Sequence, residues 1–231
     1  MKKITVLISD DHAVFREGLR LLLDARDDIE VVGEAENGRR AVGETKRLRP
    51  NLVIMDIAMP LLNGMEAARR IALEVPATKV LILSSYSDDQ CVQKSIAAGV
   101  AGYLMKETAA KDLLRAIRDV CSGNAFFSPR IAKRLLKRWT NSDLPSSPIV
   151  PPALTSRQLE VVQLIAEGFS SKQMAERLTV SIKTIEKHRQ AAMNKLDIHD
   201  IATLTRYAVS SGVVELKPYT ELTGDVGARR G

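Results

Sequence analysis

The sequence predicts an α/β protein, a five-stranded doubly wound parallel sheet, followed by a small all-α unit containing a helix-turn-helix. Three observations point to it. From Ile4 to Ser122, short apolar runs alternate with longer stretches of helical periodicity, the pattern of successive βα units. Runs such as Val80-Leu81-Ile82-Leu83 are apolar at every position, as strands covered by helices on both faces must be. From Leu154 onward the pattern is helical without strand-like runs.

Taken in order, the expected strands are 4–8, 30–34, 51–55, 79–83 and 101–105, and the intervening helices lie near 12–25, 37–48, 64–74, 88–98 and 108–122. The next piece, 128–139, reads as a short basic helix with Ser128 as N-cap and Pro129 at the first helical position. Thr140 to Ala153 holds Pro145, Pro148, Pro151 and Pro152 among serines, the composition of an extended, semi-rigid linker. Beyond it, Thr155 with Gln158 and Ser170 with Gln173 form two capping-box pairs, and Gly168 suits the left-handed turn between their helices. Ser181 caps a third helix running to about Lys195, and a fourth covers roughly 200–211. The divisions expected are therefore 1–122, a connector 123–153, 154–217, and a disordered tail 218–231.

The chain has 231 residues, 45% apolar and 27% charged, enough for two cores and unlike a disordered chain. Its formal charge is +6, unevenly spread. Residues 1–122 carry 18 basic and 18 acidic groups, 123–153 carry 5 and 1, and 154–217 carry 9 and 7, so charge alone makes only a modest case for nucleic acid. Cys91 and Cys121 stand in unrelated segments without a C-x-x-C pair, which fits reduced thiols in a cytoplasmic protein and argues against structural zinc. The start, Met1-Lys2-Lys3-Ile4, has the look of a signal n-region, but the apolar run ends at Ile8 before Asp10-Asp11. No segment approaches the ~18–20 apolar residues that span a bilayer, and neither secretion nor a membrane partner is expected.

Polar residues stand where the apolar runs stop: Asp10 and Asp11 after 4–8, Asp56 after 52–55, Ser84 after 80–83 and Lys106 after 103–105. Open α/β sheets bind ligands outside the carboxyl ends of their strands, so these groups would meet in one pocket. Three carboxylates repel one another, and a hard cation relieves that repulsion. Mg²⁺ suits the set because it needs few protein ligands and keeps water or phosphate oxygens in its other positions. A carboxylate beside it can accept a phosphoryl group, with Lys106 and Ser84 on the equatorial oxygens. Taken singly, each aspartate reads first as a helix cap or turn residue; their joint occurrence at several strand ends favours a site.

The residues then resemble a known family, the response regulators of two-component signalling. Ser-Asp-Asp-His at 9–12, Met-Asp-Ile-Ala-Met-Pro at 55–60, Asn-Gly at 63–64, Leu-Ser-Ser at 83–85 and Gly-Tyr-Leu-Met-Lys at 102–106 are similar to its flavodoxin-like receiver domain, in order and spacing, over residues 4 to about 122. The resemblance implies that Asp56 accepts a phosphoryl group from a sensor histidine kinase, and that Asp10, Asp11, Asp56 and the backbone carbonyl of Ala58 hold Mg²⁺. It further implies that Ser84 and Tyr103 rearrange on phosphorylation while Lys106 contacts the phosphoryl group. Glu107 stands where many receivers have proline. His12 is expected to flank the pocket without taking part in chemistry.

In the third helix of the C-terminal part, Ile182, Ile185, Met193 and Leu196 fall near one face, and Lys183, Lys187, Gln190 and Asn194 follow at spacings of 4, 3 and 4 on another. Helical periodicity makes the first a core stripe and the second an exposed ridge. A short helix at 171–178, joined through Thr179-Val180-Ser181, would cross it as in a helix-turn-helix. Taken alone, such a ridge is usually just a solvated face. Leu154-Thr155-Ser156-Arg157, Glu160-Val161-Val162, Ala166-Glu167-Gly168, Ala175-Glu176-Arg177-Leu178, the stretch from Ser181 to His188 and Asn194-Lys195-Leu196 resemble a LuxR-type DNA-binding domain. With the receiver, the combination resembles the NarL/FixJ class.

That resemblance places base-facing positions on Glu186, Lys187 and Gln190, where Lys187 could read guanine, Gln190 adenine and Glu186 cytosine. Phosphate contacts fall on Lys172, Lys183, Thr184 and Arg189. Gln158 replaces a glutamate common in the family. His188 has no second histidine or cysteine at ligand spacing, which weighs against a metal role. Leu204, Tyr207 and Ala208 read equally as core or as the dimer contact that the family makes with its last helix. The function implied is a transcription factor, not an enzyme, that binds DNA as a homodimer and is controlled by phosphorylation, its resting receiver masking the recognition helix or the dimer surface. Two other readings are a phosphohydrolase of the haloacid-dehalogenase type, which wants an aspartate where Ala58 stands, and a regulator whose N-terminal half binds a small apolar signal, against which stand the acidic cluster and an aromatic content of 4%.

Overall fold

In a computed structural model, residues 3–85, 89–108, 110–129, 131–133 and 154–214 are described. The first unit alternates β1 (Ile4–Ser9), α1 (Ala13–Asp24), β2 (Ile29–Ala35), α2 (Gly38–Leu48), β3 (Leu52–Met55), α3 (Gly64–Glu74), β4 (Lys79–Ser84), α4 (Asp89–Ala97), β5 (Gly102–Met105) and α5 (Ala110–Cys121). A further strand, β6 (Phe126–Phe127), pairs parallel to β5, so the sheet has six strands rather than five, in the order β2-β1-β3-β4-β5-β6. Two residues are too few to show a period, which is why the sequence does not announce β6. A side chain at Gly102 would meet the Phe126 carbonyl at 2.6 Å, so the missing Cβ lets β6 approach.

The continuous apolar runs are explained by two cores. Leu7, Val53, Met55, Val80, Ile82, Tyr103 and Met105 point to one face and pack with residues of α2 and α3. Val6, Ile8, Leu52, Ile54, Leu81, Leu83 and Leu104 point to the other and pack with α1 and α5. Successive strand residues alternate faces, so a strand covered on both sides is apolar throughout.

The C-terminal unit comprises α6 (Ser156–Ala166), α7 (Ser171–Leu178), α8 (Ile182–Leu196) and α9 (Ile201–Ser210). Both capping boxes form, at Thr155/Gln158 and at Ser170/Gln173, and Gly168 takes a left-handed φ of +84° in the turn after α6. Thr179 at φ +53° ends α7 and starts the tight turn, while the Ser181 hydroxyl accepts the Thr184 N–H to open α8. Ile185 and Met193 are core, whereas Ile182 is 45% exposed; as the first residue of α8 it projects past the end of the core it was expected to join. Leu204 and Ala208 are fully buried in the domain core, with Tyr207 partly buried against it.

Ser128 is buried, and its hydroxyl has no hydrogen-bond partner among the described residues, which leave out Arg130. The remainder of the basic helix beyond Lys133, the proline-rich stretch 140–153 and the tail 218–231 lie outside the described residues. No described helix is long and apolar enough to cross a membrane.

Candidate functional site

The register of the sheet assembles the acidic pocket. Ser9 of β1 lies opposite Met55 of β3, and the Asp56 N–H donates to the Ser9 carbonyl at 2.8 Å, so Asp10 and Asp56 emerge side by side. On the other flank Ser84 lies opposite Met105 and the Lys106 N–H donates to the Ser84 carbonyl. Oxygens of Asp10, Asp11 and Asp56 and a nitrogen of His12 all lie within 4.8 Å of one another. Asp10 and Asp56 are almost completely buried.

Lys106 bridges two of the carboxylates, its Nζ 2.7 Å from Asp10 Oδ2 and 2.9 Å from Asp56 Oδ2. Burial opposes its ammonium, but the charges of Asp56 and Asp10 outweigh that and hold it above its ordinary pKa. The Phe15 ring lies under the ammonium at 4.8 Å, a favourable cation–π arrangement. Asp56 moves the other way from most paired carboxylates. Burial and the neighbouring Asp10 charge push its pKa up to about 6 against the pull of Lys106. Its Oδ1 accepts the Ile57 N–H at 2.8 Å. A donor set of three crowded carboxylates with only one ammonium between them fits a hard divalent cation, and the pocket is compatible with one.

His12 does flank the pocket: its Nδ1 is 3.2 Å from Asp10 Oδ1 and 2.9 Å from Asp11 Oδ1. Ala58 is partly exposed two residues beyond Asp56, and Ser84 and Tyr103 are both fully buried. Sequence reasoning missed three supports. Arg16 donates to the Asp10 carbonyl at 2.7 Å, and Phe15 backs Lys106. Gly64, noted only as part of an Asn-Gly pair, is required by space, since a Cβ there would lie 1.8 Å from the Asp56 carbonyl oxygen. A cleft of about 610 Å³ lined by His12, Phe15, Leu19, Leu83, Lys106 and Leu113, among others, opens beside the pocket.

On the second unit, Lys172, Lys183, Glu186, Lys187 and Gln190 are exposed, and Thr184 and Arg189 are partly so. Six of these seven, all on α8, line one shallow groove with Ser181; Lys172 belongs to α7. The Gln190 amide donates to Asn194 at 2.8 Å. The ridge itself is open, while the expectation of masking also allowed for the dimer surface on the last helix. The first unit contacts α6 and α7: Glu160, 1% exposed, pairs with Arg39 and Arg70 of the sheet unit and with its own neighbour Arg157, Arg69 donates to Ser156, and Arg39 donates to the Arg177 carbonyl at 3.0 Å. Beside α9, Lys94 of α4 donates to the Ser211 carbonyl at 3.1 Å.

An acidic pocket at the carboxyl edge of a parallel sheet, joined to a helix-turn-helix with an open polar ridge, defines a phosphorelay-regulated transcription factor. The response regulator receiver domain family matches residues 6–118, and the luxR family of bacterial regulatory proteins matches 152–208. The response regulator VraR of Staphylococcus aureus is 33% identical over 212 residues, 92% of this chain and 99% of VraR. RcsB of Salmonella typhimurium is similar in structure with a TM-score of 0.56 at 26% identity, covering 90% of this chain and 98% of that one. ChrA, a response regulator of a heme-sensing two-component system, gives 0.51 at 30% identity over 93% and 100%. The chain belongs to the response regulators that carry a LuxR-type DNA-binding domain.

Proposed function

We propose that Asp56 is the phosphoacceptor of this response regulator, that a sensor histidine kinase is the donor, and that Mg²⁺ is the cation. The observation that carries the reading is the convergence of Asp10, Asp11, Asp56 and Lys106 in one buried pocket. A carboxylate oxygen of Asp56 attacks phosphorus, the phosphorus–nitrogen bond of a phosphohistidine breaks, and the bonding pair leaves on the imidazole nitrogen. Lys106 and Ser84 hold the equatorial oxygens as charge builds. Asp10, Asp11, Asp56 and the Ala58 carbonyl would hold Mg²⁺, which supplies the charge that offsets carboxylate repulsion. Tyr103 is the switch residue. Ala58 stands where a phosphohydrolase of the haloacid-dehalogenase type wants its second aspartate, which supports the reading of a transcription factor over that of a turnover enzyme.

The receiver is taken as 1–122, the connector as 123–153, the DNA-binding domain as 154–217 and the tail as 218–231. Glu186, Lys187 and Gln190 read bases while Lys172, Lys183, Thr184 and Arg189 contact phosphates, with double-stranded DNA bound as a homodimer in the cytoplasm. RcsB, a relative, is known in complex with DNA. The test is DNA-site selection with and without acetyl phosphate, beside labelled phosphate transfer to Asp56→Asn. Transfer to that variant at the wild-type rate refutes the acceptor, and selection unchanged by the phosphodonor refutes phosphorylation control of DNA affinity.

A further inference from the structure

We propose that α6 of the DNA-binding unit braces the loop that follows Asp56 at the edge of the acidic pocket. Gln163 and Glu167 hold the Asp56–Asn63 loop in its cation-ready shape, so the pocket's affinity for a divalent cation depends on docking of the DNA-binding unit. The proposal rests on the acidic-pocket reading above and deepens it.

Gln163 is almost fully buried. Its amide spans the loop, donating to the Met59 carbonyl at 2.9 Å and accepting the Asn63 N–H at 2.8 Å. The same amide donates to Glu167 at 2.7 Å, and the Glu167 carboxylate accepts the Leu61 N–H at 3.1 Å. Three consecutive odd positions of the loop are thus tied to one helix, and the residue next to the first of them is Ala58. Leu61 has φ +67°, a left-handed conformation that a leucine keeps only when its surroundings over-determine it. Those surroundings are the helical unit, since the Leu61 side chain packs against its core. Gln163 and Glu167 touch neither phosphoryl group nor cation; they are positioning residues.

The sign of the coupling follows. With α6 withdrawn, the Leu61 and Asn63 N–H groups turn to water, Leu61 leaves the left-handed region, and the loop samples shapes in which the Ala58 carbonyl is displaced. Cation affinity then falls by the fraction of time that the competent loop is populated. By linkage, the bound cation strengthens docking by the same factor.

The test titrates Mg²⁺ alone into metal-free full-length protein by calorimetry. Gln163→Ala is expected to raise Kd about threefold or more. Saturating Mg²⁺ should also slow hydrogen exchange at the Leu61 and Asn63 amides in the wild type and not in Gln163→Ala. Equal Mg²⁺ affinity in wild type and a folded Gln163→Ala, or equal slowing of exchange by Mg²⁺ at the Leu61 and Asn63 amides in both, overturns the proposal while leaving the pocket intact. Mg²⁺ binding by Asp10→Asn at wild-type affinity, or no saturable binding at all, overturns the acidic-pocket reading and this one with it.

Discussion

Replacing Asp56 with asparagine removes the nucleophile and should also stabilise the metal-free fold at neutral pH. Asp56 is 4% exposed, and burial together with the Asp10 charge raises its pKa from 3.8 to about 6. A rise of about two pH units corresponds to about 3 kcal/mol of penalty for the ionised form. Below the unfolded pKa both states hold the proton and the penalty is absent. It grows between about pH 4 and pH 6, where the folded state binds more protons than the unfolded, and is complete above. Asparagine keeps the size and the acceptor for the Ile57 N–H. It gives up one Lys106 ion pair, but Lys106 retains Asp10 at 2.7 Å. The expected net gain is about 2 kcal/mol at pH 7.5. Urea denaturation in EDTA, followed by circular dichroism from pH 4.5 to 8, measures it. An Asp56→Asn chain no more stable than wild type at pH 7.5, or a difference that stays constant over that range, refutes the reasoning. Added Mg²⁺ should stabilise the wild type and close the gap.

Lys106→Ala leaves Asp10 and Asp56 facing each other without their shared cation, and metal-free stability should fall by about 3 kcal/mol, a loss that Mg²⁺ titration during thermal melting recovers in part. Gly64→Ala drives a Cβ into the Asp56 carbonyl and should cost about 3 kcal/mol or more, read as a lowered denaturation midpoint with Mg²⁺ binding weakened alongside. Arg39→Ala takes away one of the two sheet-unit partners of Glu160; an increased radius of gyration in X-ray scattering, larger at high salt, is the expected outcome. Lys183→Ala should weaken binding to all DNA sequences and reduce the salt slope by about 1, whereas Lys187→Ala should relax specificity at one base pair at a cost of about 1–3 kcal/mol; gel-shift titrations at several salt concentrations separate the two.

The strand ends were legible because an apolar run stops where the chain leaves the sheet, and Asp10, Asp56, Ser84 and Lys106 each stand one or two residues beyond such a stop. Both capping boxes were legible for the same local reason: a serine or threonine and a glutamine three residues on bond each other's backbone. Ile182 misled because helical periodicity gives a face but not how far along the helix the core extends. Strand β6 was too short to carry a pattern. Leu204 and Ala208 could not be sorted between core and dimer surface until α9 was seen packed in the helical core.

By itself the sequence determined the order of the elements long enough to carry a period and the residues offered at each strand end, since these depend on neighbours within a few positions. Only the tertiary structure decided which strand ends lie together, that Asp56 is desolvated beside Asp10, and that Gln163 grips a loop 104 residues away at Met59. The physical reason is that desolvation, charge coupling and loop strain are set by atoms brought close through the sheet register and the docking of α6, and no local pattern encodes that proximity.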